Sequence, residues 1–150
     1  MSTGVAEEFF EIVYAEDSPT DAEVTLRAFR KANLGNRVVW LKDGQQVLDY
    51  LFGNSPDVLK RPLPRLLLLD LKMPKVDGLQ VLKAVRGTPA GRALPVVILT
   101  SSAEESDLVR SYELGVNSYI VKPVDFQKLM EEVARLGYYW IAMNRRPAEG

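Results

Sequence analysis

Four polar positions close four separate apolar runs. Glu16-Asp17 follows Ile12-Val13-Tyr14-Ala15, Asp70 follows Leu66-Leu67-Leu68-Leu69, Thr100 follows Val96-Val97-Ile98-Leu99, and Lys122 follows Tyr119-Ile120-Val121. In an open parallel α/β sheet, the carboxyl ends of the strands form the ligand crevice. Acids, a hydroxyl and an ammonium therefore converge on one mouth. An acidic pair at a strand end is costly through mutual repulsion unless a cation sits there. Mg²⁺ suits such a pair, since it takes few carboxylates and keeps several waters. A carboxylate that accepts a phosphoryl group needs such a cation, donors for the phosphoryl oxygens and open in-line access. Asp70 fits the acceptor, Glu16 and Asp17 the cation ligands, Thr100 a hydroxyl donor and Lys122 a point charge for phosphate.

Composition narrows the chemistry further. Nineteen basic and twenty acidic residues leave a net charge of −1, so no strong field draws the 150-residue chain to nucleic acid or an anionic membrane. The absence of cysteine excludes disulfides and thiolate chemistry. The absence of histidine removes the commonest general base and zinc ligand. Carboxylates, hydroxyls, lysine and a hard metal remain. The first eleven residues carry Glu7, Glu8 and Glu11 but no Lys or Arg, unlike a signal peptide. No apolar run approaches the ~20 residues of a membrane span. The expectation is a cytoplasmic protein with neither nucleic acid nor membrane as a partner.

The elements that must position these residues alternate in type, β then α, five times. Strands are expected at 11–15, 38–41, 65–69, 96–100 and 118–121. Helices are expected from Pro19 to about Asn33, after Asp43-Gly44, from Gly78 to Arg86, from Ala103 to Leu114, and from about Asp125 onward. Ser18 reads as the cap of the first helix and Ser102, with Glu105, as a capping box for the fourth. Residues 53–65, rich in Gly, Pro and Ser, read as a long loop. The fold class that follows is α/β, a doubly wound (βα)₅ five-stranded parallel sheet.

The residues and their spacing resemble the response-regulator receiver domains of the CheY-like superfamily, whose fold is flavodoxin-like. The likeness runs from Ile12 to about Leu136. It rests on Glu16-Asp17, on LLLLD with LKMPKVDG after it, on LTSS around Thr100 and on NSYIVKP around Lys122. Asp70 to Thr100 is 30 positions and Thr100 to Lys122 is 22. The resemblance implies that Asp70 accepts a phosphoryl group from a phosphohistidine of a sensor histidine kinase, or exchanges one with a phosphotransfer protein. It implies Mg²⁺ on Glu16, Asp17, Asp70 and the backbone carbonyl of Lys72. Thr100 and Lys122 would hold the phosphoryl group, with Ser101 leaving room for its oxygens. Tyr119 would be a switch aromatic, and Lys122–Pro123 a cis peptide. The long loop, NSYIVKPVDF and LGYYW are similar to the stand-alone regulators paired with bacterial phytochromes. Such a domain is no enzyme beyond its own phosphotransfer and autodephosphorylation. Thr20, Asp21, Pro123 and Val124 are the expected kinase-docking positions, and Lys72 and Ser102 those expected to set the acyl-phosphate lifetime.

The last helix exceeds what one domain needs. Phe126, Leu129, Met130, Val133 and Leu136 form a core stripe, followed by Tyr138, Tyr139, Trp140, Ile141 and Met143. A helix over 125–144 would be about 30 Å long, against about 17 Å for a five-residue strand. An overhanging apolar end marks an interface, so a homodimer through those five residues is expected. The alternative is that Gly137 breaks the helix and the aromatics fold back. The expected organisation is an N-terminal extension (1–10), the receiver domain (11–144) and a tail (145–150), with no output domain.

Two other chemistries share parts of this site. A haloacid-dehalogenase-type phosphatase also uses a strand-end Asp, but carries a second Asp two residues on, where this chain has Lys72. A flavodoxin-type cofactor binder needs a Ser/Thr/Gly loop where this chain has Glu16-Asp17-Ser18-Pro19. A receiver-like adaptor that works without phosphorylation is the remaining alternative; degenerate domains of that kind lose the acceptor, an acid or the lysine, and all are present here.

Overall fold

Alternating strand faces build two cores. A computed structural model describes residues 9–123 and 125–144. Its elements are β1 (Ile12–Ala15), α1 (Pro19–Lys31), β2 (Val38–Leu41), α2 (Gly44–Phe52), β3 (Leu66–Leu69), α3 (Gly78–Arg86), β4 (Val96–Thr100), α4 (Glu105–Glu113), β5 (Ser118–Val121) and α5 (Phe126–Gly137). The strands pair in parallel in the order β2-β1-β3-β4-β5. Side chains on a strand point to opposite faces in turn. Val13, Ala15, Leu67, Leu69, Val96 and Ile98 accordingly face one core with α2 and α3. Ile12, Tyr14, Leu66, Leu68, Val97 and Leu99 face the other with α1 and α5. A sheet covered on both faces explains why β1, β3 and β4 are buried throughout.

Local signals set most element ends. The Ser18 hydroxyl accepts the Asp21 N–H at 3.2 Å, and Pro19 opens α1 where a missing N–H is harmless. Asn33, at φ 62°, turns the chain out of α1, earlier than Gly35. Asp43 caps α2, and Asp77 with Gln80 forms a reciprocal box at the start of α3. Gly78 is required by close approach, because a Cβ there would lie 2.3 Å from the Asp70 carbonyl oxygen.

Three expectations are corrected. Helix α4 begins at Glu105, two residues late, and Glu104 provides no side-chain cap. The Ser102 hydroxyl is engaged elsewhere, donating to Asp107 Oδ2 at 2.6 Å. Lys122–Pro123 is not cis; among the described residues the cis bond is Arg61–Pro62, in the long loop. The isomers of an X–Pro bond differ by only about 0.5–1 kcal/mol, so the surrounding loop decides and the dipeptide does not. Nor is 125–144 one regular helix. Beyond Gly137 the chain widens into a π-helix over Tyr138–Met143, with the Asn144 N–H donating to the Tyr139 carbonyl five residues back.

Gly137 neither breaks the path nor serves as filler. A Cβ there would lie 2.1 Å from Leu34 Cδ1, so glycine lets α5 close on the chain leaving α1. The widened end splits the predicted interface. Trp140 and Ile141 pack against the α1/α5 core, whereas Tyr138, Tyr139 and Met143 remain exposed. Residues 1–8 of the extension, Val124 and the tail 145–150 lie outside the described residues.

The long loop enters β3 from the end opposite the strand carboxyl termini. It is anchored by Leu59 and Leu63, both buried in the α2/α3 core, and by the Lys60 N–H on the Leu51 carbonyl at 2.6 Å. No helix among the described residues is long and apolar enough to cross a membrane.

Candidate functional site

Register brings the acids together. Ala15 pairs with Leu69 across β1 and β3, and the Asp70 N–H donates to the Ala15 carbonyl at 3.1 Å. The next residue along β1 is Glu16, which places it beside Asp70. One carboxylate oxygen each of Glu16, Asp17 and Asp70 lies within 4.8 Å of the others. Glu16 and Asp70 are buried and Asp17 is exposed. This point lies where the strand order reverses, between β1 and β3, the usual crevice of such sheets.

Lys122 leaves β5 toward the same point. Its backbone N–H donates to the Thr100 carbonyl at 2.7 Å, which locks the end of β5 to β4. Its ammonium donates to Glu16 Oε1 at 2.5 Å, Asp21 Oδ2 at 2.9 Å and Asp70 Oδ2 at 3.4 Å. Burial pushes the Glu16 carboxyl up to about 7; Lys122 pulls it down and Asp70 adds to the rise. Burial opposes the charge on Lys122, but the carboxylates of Glu16 and Asp21 outweigh it, and its affinity for the proton rises.

Backbone and indole donors fix the β1 turn. The Ser18 N–H donates to Glu16 Oε2 at 3.2 Å. The Trp40 indole N–H, from β2, donates to the Glu16 carbonyl at 2.8 Å. Thr100 is fully buried, and its hydroxyl oxygen accepts the Ser102 N–H at 3.3 Å, which leaves the hydroxyl proton free to donate. Ser101 is exposed at the mouth. The Lys72 N–H points at Asp70 Oδ1, 3.5 Å away.

Beside the acids, a second chain of contacts crosses the mouth. Asp107 on α4 accepts from the Ser102 hydroxyl and pairs with Lys72 at 3.3 Å. The Ser102 bond, then Lys72, holds its carboxyl below the usual carboxylate range. The Tyr119 hydroxyl donates to the Ser102 carbonyl at 2.9 Å, so the aromatic of β5 is fastened to the loop after β4. Burial raises its phenol above the ordinary value, although the nearby Ser102 hydroxyl pulls it back. Sequence spacing did not reveal Trp40, Asp107 or the Asp21–Lys122 pair. The signal for Asp21 was its place in the first turn of a helix that starts at the mouth.

The acids and lysine at a β1/β3 switch point, with Thr100 at the neighbouring strand end, define a receiver-type site, and comparisons with known proteins agree. The family model described as the response regulator receiver domain matches residues 12–134, and the chain belongs to that family. It is 42% identical over 142 residues to the probable methanogenesis regulatory protein FilR2 of Methanothrix harundinacea, covering 95% of this chain and 90% of that one. The phosphorylated cyanobacterial phytochrome response regulator RcpA superposes with a TM-score of 0.81 at 30% identity, covering 94% and 100% of the two chains. The bacteriophytochrome response regulator AtBRR is 48% identical with a TM-score of 0.66, covering 92% and 99%.

Proposed function

We propose that this receiver domain takes a phosphoryl group onto Asp70 from a phosphohistidine of a sensor histidine kinase in the cytoplasm. An Asp70 oxygen attacks phosphorus and an O–P bond forms. The N–P bond breaks, and its electron pair returns to the imidazole nitrogen, which takes a proton from solvent. The observation that carries this reading is the convergence of three carboxylates within 4.8 Å beside the Lys122 ammonium. The oxygen-only donor set, with two buried acids, fits Mg²⁺ held by Glu16, Asp17, Asp70 and the Lys72 carbonyl. When bound, the ion supplies positive charge to the phosphoryl oxygens. Lys122 and the free Thr100 proton then hold those oxygens, and Ser101 leaves the entrance open. The chain catalyses only its own phosphorylation and hydrolysis and acts on no separate substrate.

Movement of Thr100 toward the phosphoryl group would pull on Ser102, whose N–H it holds, and so on the carbonyl that fastens Tyr119. This gives the signal a route from Asp70 to the α4–β5 surface, where protein contacts or onward phosphotransfer carry it. A phytochrome is the kinase favoured by the likeness to RcpA and AtBRR. A homodimer is favoured by exposed Tyr138, Tyr139 and Met143 at the widened end of α5; sedimentation at tens of micromolar that shows only a monomer would remove that part. The central test is intact-protein mass after incubation with acetyl phosphate, with and without Mg²⁺. The expected result is a Mg²⁺-dependent gain of one phosphoryl group, abolished by Asp70→Asn. No gain under either condition would leave the phosphorylation-independent adaptor.

A further inference from the structure

Lys122 has three ammonium protons and three carboxylates around it. Glu16 and Asp70 belong to the acidic cluster. Asp21 does not: it stands in the first turn of α1, with its side chain 47% exposed to solvent. Yet its oxygen lies 2.9 Å from the ammonium, closer than the acceptor's at 3.4 Å. Building on the reading that Asp70 is the phosphoryl acceptor, we propose that Asp21 is a positioning residue for Lys122. It holds the ammonium toward α1 before transfer and releases it to the phosphoryl group afterwards.

Charge and mobility support this assignment. When all are ionised, Glu16, Asp17, Asp21 and Asp70 set four negative charges around one lysine. Even a divalent cation leaves one of these charges unbalanced. The incoming donor is itself an anion, and Asp21 is the most exposed of the three carboxylates that hold Lys122. Lysine carries a compact charge on a flexible stem, without the fixed fork of arginine, so it can exchange one oxygen for another by a small swing. Its side chain is only 13% exposed, which confines the swing to the oxygens already around it. Asp21 is thus both a competitor for the ammonium and a negative charge at the entrance. Because it is half exposed, solvent screens its hold, and the effect is a modest gate.

The side chain is not needed for the helix start. The Asp21 backbone N–H donates to Ser18 Oγ, a bond that asparagine keeps. The experiment compares wild type, Asp21→Asn and Asp21→Glu in initial rates of acetyl phosphate phosphorylation, at saturating Mg²⁺ and varied donor. For Asp21→Asn the half-saturating donor concentration should fall by about two- to fivefold, the span of a screened single charge pair, with a smaller change in maximal rate. Asp21→Glu should restore the wild-type value. A merely structural role would lower the melting temperature of Asp21→Asn and leave half-saturation unmoved. An unchanged or raised half-saturation in Asp21→Asn, with wild type accepting phosphoryl normally, overturns the inference alone. A wild type that gains no phosphoryl group overturns the acceptor reading and this inference with it.

Discussion

Replacing Arg86 should cost considerable stability, and it should leave the acidic mouth untouched. Arg86 ends α3, and its guanidinium reaches only neutral oxygens. Nη1 donates to the carbonyls of Gly91 at 2.5 Å and Leu94 at 2.7 Å. Nε and Nη2 donate to the Gly115 carbonyl at 3.0 and 2.8 Å, and Nη2 also to Asn117 Oδ1 at 3.1 Å. One side chain thereby ties the end of α3 to the turn before β4 and the turn before β5. Burial lowers its proton affinity, while the carbonyl partners favour the charged form. The bonds to Gly115 and Asn117 are exposed, so water replaces them on truncation. The bonds to Gly91 and Leu94 are partly buried, and their carbonyls would lose a charged donor. At about 1–2 kcal/mol for each such loss, Arg86→Ala should destabilise by about 2–4 kcal/mol. Arg86→Lys should recover less than half, because one ammonium cannot span both turns. Urea unfolding followed by far-UV circular dichroism measures this directly. Phosphorylation by acetyl phosphate should proceed at the wild-type rate at 20 °C. A loss below 1 kcal/mol for Arg86→Ala would refute the reasoning, as would full rescue by lysine.

Three further outcomes are expected. Glu16 is held up to about 7 by burial and must lose its proton to ligate a cation, so Mg²⁺ affinity should fall as pH drops below 7. The fall should approach about tenfold per pH unit, and Glu16→Gln should flatten it in a calorimetric titration. Trp40→Phe removes the indole bond to the Glu16 carbonyl and should cost about 1 kcal/mol; any Mg²⁺-induced fluorescence change should vanish with it and persist in Trp140→Phe. Gly78→Ala forces a methyl to within 2.3 Å of the Asp70 carbonyl oxygen. It should therefore slow phosphorylation severalfold as well as destabilise, a pairing that Gly91→Ala, at the far edge, should not reproduce.

The readable parts of this chain were those set by local chemistry. The bounds of β2, β4, β5 and α3 follow from apolar runs closed by turn residues, and Asp70, Thr100 and Lys122 each sit at a strand end for the same reason. The misses arose where the outcome depends on a contact distant in sequence. Ser102 could cap a helix or bond Asp107, and the choice depends on where α4 packs. Asp21 and Lys122 are 101 positions apart, and only the fold of the sheet makes them neighbours. Gly137 reads as a breaker, but its meaning is set by Leu34, which no pattern within the last helix contains.

The anchored loop between α2 and β3 has a consequence for how such a chain can vary. It enters the sheet at the amino edge, and Leu59 and Leu63 pin it to the core beneath α2. Glu16 and Asp70 meet at the carboxyl edge, their spacing governed by the β1–β3 register. Residues added or removed in the loop are absorbed before β3 begins, so the reactive oxygens keep their separation whatever the contour length of the connection. The sheet works as a ruler read from one end, and the slack is stored at the other. Insertions can lengthen this domain without retuning its chemistry.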